Sequence, residues 1–150
     1  MTKETCVTII SVDLSRKLLR KYPDYHVIDG DFNYEELITK KKIIFFNNLA
    51  NLEEDELKKL FAFLQNNDIL FINVTNNLEE CLYTDYLIIC DKDKVLIEGS
   101  TIEVLKNEIL LKRLGLQIPF MVELSLLLKD YNLINDIYLD KESLVDELWK

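Results

Sequence analysis

Glycine, proline, histidine and tryptophan are scarce in this chain of 150 residues, at three, two, one and one. So few chain-breaking residues leave no long linker or low-complexity tract, and no internal repeat is visible. No apolar run reaches the length of a membrane span, and the start "MTKETCVTII" lacks the basic region and cleavage pattern of a signal peptide. The expectation is a cytoplasmic protein with no membrane insertion, which leaves room for peripheral association. Cys6, Cys81 and Cys90 are odd in number, lie among apolar neighbours and form no C-x-x-C pair; they read as reduced, buried side chains rather than zinc ligands. Positive charge is also short. Against 27 acidic residues stand 18 basic ones, and the formal net charge of -9 repels phosphate backbones, which argues against nucleic acid as a partner. The lone His26 has no evident nucleophile near it and reads as a packing or surface residue.

What is present is globular composition, 49% hydrophobic and 30% charged, enough for one compact domain or a small domain with an appendage. Cys6 to Val12 reads as a buried strand, Leu14 to Tyr22 as a helix stopped by Pro23, and "YHVIDGD" as a strand ending at Asp29 and Gly30. Ile43 to Phe46 and Ile69 to Val74 are continuous apolar runs of the kind found inside a parallel sheet, with an amphipathic helix from Glu53 to Leu64 between them. One or two helical turns from Leu78 lead to a hairpin, Tyr86 to Cys90 and Lys94 to Glu98, with "DKDK" as its turn. From Ser100 the period is helical, in "STIEVLKNEILLKRLGL", "PFMVELSLLLKDYNL" and "DKESLVDELWK". The pattern predicts an α/β layer structure with a mostly parallel sheet over 1–106 and a helical extension over 107–150.

Chemistry-bearing clusters are few. Asn47 and Asn48 follow "IIFF", where asparagine suits a strand-end turn because it tolerates left-handed geometry and bonds its own backbone. Asp29, Asp31, Glu35 and Glu36, like Glu53 to Glu56, read as helix-start carboxylates rather than metal ligands. Ser11, Asp13 and Ser15 at the start of the first helix could hold an anion only weakly, with no lysine or glycine among them.

The segments "IIFFNNLANLEEDELKKLF" and "ILFINVTNNLEECLYTDYLIICDKDKVLIEGSTIEVL" resemble the second half of an ATP-binding cassette ATPase. Leu52 and Glu53 stand at that family's Leu-Asp pair, Thr75 at its threonine, Glu79 and Glu80 at its acidic helix, Asp85 before the hairpin strand, and Glu98 and Gly99 at its end. The tail "LLKRLGLQIPFMVELSLLLKDY" with "ESLVDELW" resembles the C-terminal extension of the ATPase subunits of energy-coupling-factor transporters for vitamins and cobalt. The resemblance implies a shortened, degenerate member of the family with a minimal core of the P-loop NTPase type. Asn47 stands at the magnesium-binding aspartate, Asn48 at the catalytic glutamate and Asn76 at the switch histidine. Amides cannot hold Mg²⁺ against phosphate or take a proton from water as the family's groups do. The phosphate loop G-x-x-x-x-G-K-[ST] is missing, no glycine precedes Gly30, and no helical subdomain with a Leu-Ser-Gly-Gly-Gln signature lies between Leu37 and Ile43.

The expectation is therefore a protein that is not an enzyme, holds no cofactor or metal, and acts by binding protein, either as a homo-oligomer or paired with an intact ATPase or transporter. The alternative is a nucleotide-responsive transporter subunit that binds ATP or ADP weakly without hydrolysis. Leu126, Leu127, Leu128, Ile134, Ile137, Leu144, Leu148 and Trp149 exceed what three short helices need for a small core. Of these Leu127, Leu128, Ile137, Leu144, Leu148 and Trp149 are the interface candidates.

Overall fold

The computed structural model describes residues 6–92 and 94–150. The first residues of the leader reading, and Asp93 of the hairpin turn, lie outside the described residues. Six strands, β1 (Cys6–Ser11), β2 (His26–Ile28), β3 (Lys42–Phe46), β4 (Leu70–Thr75), β5 (Tyr86–Asp91) and β6 (Lys94–Ser100), form one sheet in the order β2-β3-β4-β1-β5-β6. All neighbours are parallel except the β5–β6 hairpin. Helices α1 (Tyr34–Thr39), α2 (Glu54–Asn66), α3 (Thr101–Leu105), α4 (Glu108–Arg113), α5 (Phe120–Asp130) and α6 (Lys141–Leu148) pack around it, with 3-10 helices at Arg16–Lys21 and Leu78–Tyr83. This is the expected mostly parallel α/β sheet. Only Lys40 and Lys41 separate α1 from β3, so no subdomain is inserted there.

The strands alternate between two cores. Ile43 and Phe45 face α2, meeting Leu57, Leu60, Phe61 and Leu64, while Ile44 and Phe46 face the other way with Ile9, Ile72, Val74 and Leu18. Burying one such side chain stabilises the fold by roughly 1.5–3 kcal/mol, so a one-residue slip of β3 is strongly disfavoured. Helix α2 forms because its apolar residues fall at helical spacing and the Glu56 carboxylate accepts the Glu53 N–H at 2.9 Å. Asp68, at φ 53, ends it as the Ile69 N–H reaches the Leu64 carbonyl at 3.0 Å.

The carboxyl-terminal helices lie on the α2 side of the sheet. Leu111, Ile118, Val122 and Ile137 share one core with Ile10, Leu87 and Ile89 of the strands. Ser125, fully buried on α5, donates its hydroxyl to the Tyr138 carbonyl and accepts the Tyr138 N–H, both at 3.1 Å, which pins the irregular segment before α6. The opposite sheet face is covered by little more than the 3-10 helix at Arg16–Lys21 with Tyr22 and Tyr25.

Two helices differ from expectation. The helix predicted over Leu14 to Tyr22 is a 3-10 helix of six residues. Leu14 is left-handed at φ 50, and Pro23 turns Tyr22 away from α geometry, so a short, tight winding is what fits between β1 and Pro23. The single helix expected from Ser100 is broken into α3 and α4, because the Asn107 side chain donates to the Glu103 and Val104 carbonyls and closes α3.

Candidate functional site

The chain leaves β1 toward β2 at one edge and leaves β4 toward β5 on the other side, so the strand order reverses between the adjacent β1 and β4. In open α/β sheets ligands bind outside the carboxyl ends of strands at such a point. Here that edge carries Ser11 to Ser15 after β1, Asn47 and Asn48 after β3, and Asn76 after β4.

The turn after β1 is closed on itself. Ser11 donates its hydroxyl to Asp13 at 3.2 Å and accepts the Ser15 N–H at 3.3 Å, and the Ser15 hydroxyl accepts the Lys17 N–H at 3.3 Å. The Leu14 N–H goes to the Ser11 carbonyl and the Leu18 N–H to that of Ser15. The backbone donors of Leu14, Ser15, Lys17 and Leu18 are therefore committed within the turn. Arg16 lies over the Phe46 ring, 4.8 Å from its centroid, and pairs with the Asp29 carboxylate. Arg16, which reaches Phe46 at the end of β3, already has its anion.

Asn47 is left-handed at φ 48, its N–H donates to the Val74 carbonyl at 2.7 Å, and its side chain is exposed. Asn48 turns away from β1: its Oδ1 accepts the Gly30 N–H at 2.8 Å and its Nδ2 donates to the Gly30 carbonyl at 2.9 Å. A carboxylate could make the first bond but not the second. Asn76 is exposed, and Asn77 caps the next 3-10 helix by accepting the Glu79 N–H. The three amides thus share one sheet edge, Asn48 fastened to Gly30 and the side chains of Asn47 and Asn76 exposed.

Beneath that edge the structure holds a cluster that sequence reasoning missed. Buried Glu80 accepts from Asn73 Nδ2 at 3.0 Å and from the Thr75 hydroxyl at 2.7 Å, and Asn73 Oδ1 is buried without a partner. The signal was Asn73 itself, an amide in the middle of "ILFINV" that a buried strand must satisfy. Glu79, next to it, accepts the Phe120 N–H at 3.2 Å and so ties the start of α5 to the core. Between α2, this 3-10 helix and the starts of α5 and α6 lies an open groove of about 790 Å³.

The other candidates resolve plainly. His26 sits 3.5 Å from Glu36, both half exposed. Among the described residues no group of three or more His, Cys, Asp or Glu side chains could hold a metal ion. Burial pushes the Cys6 thiol up to about 12, against a weaker lowering by the Gln65 amide, and raises Cys81 and Cys90 as well. These are unreactive core side chains.

Of the interface candidates, Ile137 and Leu144 are corrected: both are 4% exposed, and Ile137 belongs to the core shared with the sheet. Leu128 is half-buried, whereas Leu127, Leu148 and Trp149 are exposed. Phe120 and Tyr131, which sequence reasoning passed over, are 67% and 71% exposed. With Leu124 and Leu127 they make an apolar stripe along α5 at spacings of four, three and four, the period of a helix–helix seam, while Val122 and Ser125 face inward.

The chain is 30% identical over 120 residues to the energy-coupling factor transporter ATP-binding protein EcfA1 of Lactobacillus delbrueckii subsp. bulgaricus, covering 76% of this chain and 43% of that one. It is 29% identical to EcfA of Malacoplasma penetrans, over 76% of this chain and 42% of the relative, and 32% identical to EcfA1 of Clostridioides difficile, over 72% and 41%. The chain thus spans less than half the length of these curated relatives. Among solved structures, CbiO1 of Clostridium perfringens, described as part of the ABC transporter complex CbiONQ, aligns at 17% identity with a TM-score of 0.40 over 51% of this chain and 33% of that one. No family model matches. No helix among the described residues is long and apolar enough to cross a membrane.

Proposed function

The chain is related to the ATP-binding cassette ATPases through the ATP-binding proteins of energy-coupling factor transporters, and from that premise we propose that it is a non-hydrolysing relative that works by binding protein. Its partner is a second copy or an intact ATPase of the same family, met by the stripe on α5 with Leu148 and Trp149 at the end of α6. The extension over 107–150 is then the binding element and the sheet its support.

The observation that carries the proposal is the engagement of the switch-point edge. The Leu14, Ser15, Lys17 and Leu18 N–H groups bond within the turn after β1, Arg16 is paired with Asp29, and Asn48 holds Gly30, so these groups serve the chain itself rather than a nucleotide. Hydrolysis needs phosphate positioning, a metal and a group to orient water, acting together.

Two measurements test this. Sedimentation equilibrium of the full chain, alone and mixed with an intact energy-coupling factor ATPase, should show self-association or a mixed complex. Leu127→Ser with Tyr131→Ser should dissolve it while leaving a folded monomer by far-UV circular dichroism. A monomer at high concentration in both settings sinks the reading. Asn47→Asp combined with Asn48→Glu should produce no ATPase turnover, and calorimetric binding of Mg-ATP tighter than millimolar by the natural chain would favour a nucleotide-responsive subunit instead.

A further inference from the structure

The groove beside the Glu80 cluster is apolar below and acidic around. Leu49, Leu52, Leu82 and the exposed Phe120 give it apolar walls, and five carboxylates, those of Glu54, Glu79, Glu80, Asp140 and Glu142, line it against the two ammonium groups of Lys58 and Lys141. Lys58 is already paired with Glu54 at 3.1 Å. Asp140 is committed to capping α6 through the Ser143 N–H at 2.8 Å, and Glu79 to the Phe120 N–H. Glu142 is exposed, and Glu80 is 3% exposed on the groove's inner wall.

Glu80 decides what the groove fits. A buried carboxylate is costly unless a cation pairs with it, yet only the neutral donors of Asn73 and Thr75 reach its oxygens, and no ion pair holds it among the described residues. A positively charged group entering the groove would supply the missing counter-charge, with Glu142 reinforcing it at the rim. The apolar walls ask for more than a bare cation. They suit a large aliphatic or aromatic side chain close to the charge.

We propose that this groove receives a short segment of a partner protein in which an arginine or lysine lies next to a large apolar residue, the cation approaching Glu80 and Glu142 and the apolar side chain lodging against Leu52, Leu82 and Phe120. Phe120 also heads the exposed stripe of α5, so the groove continues the surface described above while its chemistry, charge against charge, is distinct from the stripe's. The inference stands whether or not α5 mediates pairing.

The test uses the full chain and a fluorescein-labelled amphipathic peptide of leucine and arginine, with a leucine and glutamate peptide as its counterpart, followed by fluorescence anisotropy at rising salt. The arginine peptide should bind saturably and the glutamate peptide should not. Glu142→Lys and Glu80→Gln should each weaken binding by roughly tenfold or more, with little effect from Asp24→Lys on the far face of the sheet. Glu142→Lys keeps the test decisive if Glu80→Gln unfolds, and the double stripe variant of α5 should bind the peptide undiminished. Equal losses in Glu142→Lys and Asp24→Lys would reduce the effect to net charge and overturn the proposal. So would peptide affinity that falls as chain concentration rises, which would give the groove to a second copy.

Discussion

At the carboxyl edge of the sheet several polar groups are bonded within the chain, whereas along α5 apolar groups are left outside it. Ser11 and Ser15 find partners within their own turn, Asn48 one strand away at Gly30, and Arg16 at Asp29 after β2. Phe120, Leu127 and Tyr131 stay in solvent although Ile137 and Val122 nearby are buried. The difference separates two kinds of surface on this sheet and its helices. At one, polar side chains fasten the chain to itself; at the other, apolar side chains face solvent.

The largest expected effect lies inside the tail itself. Ile137→Ala should cost about 2–4 kcal/mol by urea denaturation, since the side chain is buried against the sheet, while Leu127→Ala should fall within about 0.5 kcal/mol. Similar losses for both would mean that the stripe is core and that the comparison fails.

Next comes Asn48→Asp. It deletes the donor to the Gly30 carbonyl and brings negative charge against that oxygen, for an expected loss of about 1–2 kcal/mol at neutral pH. A carboxylate should thus be worse at this position than the amide. A variant as stable as the natural chain would show that the amide bond to the Gly30 carbonyl contributes nothing to the fold.

Much of this architecture was legible beforehand. The apolar runs of β3 and β4, the helical spacing of α2 and the hairpin all appear where periodicity put them, because burial on both faces or on one stripe leaves a direct trace in sequence. Less visible were features set by single side chains acting across the fold. Asn107 breaking a helix, Glu79 tying α5 to the core and Glu80 reaching Asn73 depend on partners that spacing alone does not identify. The same holds for Ile137 and Leu144. An excess of apolar residues in the tail is visible in the sequence, but which ones the sheet covers cannot be counted from three short helices.

The thiols extend the comparison to pH. Burial raises Cys6 from an ordinary 9.0 to about 12 and Cys81 in the same direction. A raised folded value favours the protonated group in the native state, so its stabilising contribution is complete below about pH 9 and is lost as pH climbs toward 12. Urea midpoints should hold near neutrality and fall on the alkaline side, with native thiols reacting slowly with an aromatic disulfide reagent and all three reacting once the chain unfolds. Fast labelling of the native protein would show an open core where a closed one is described.

The smallest effect distinguishes the two asparagines at the end of β3. Asn47 makes its bond to Val74 through its backbone and exposes its side chain, so what the position demands is the left-handed geometry at φ 48. Asn47→Ala should cost about 1 kcal/mol, whereas Asn47→Gly should change stability by only a few tenths, because glycine adopts that geometry without strain. Asn48→Gly, by contrast, should lose as much as Asn48→Asp, since there the amide itself is the fastening. Equal behaviour of the two positions in thermal melts would mean that neither amide has a role of its own. A tolerant Asn47 beside an intolerant Asn48 would show that one of the paired positions is held by backbone shape and the other by side-chain chemistry, neither of which needs a nucleotide.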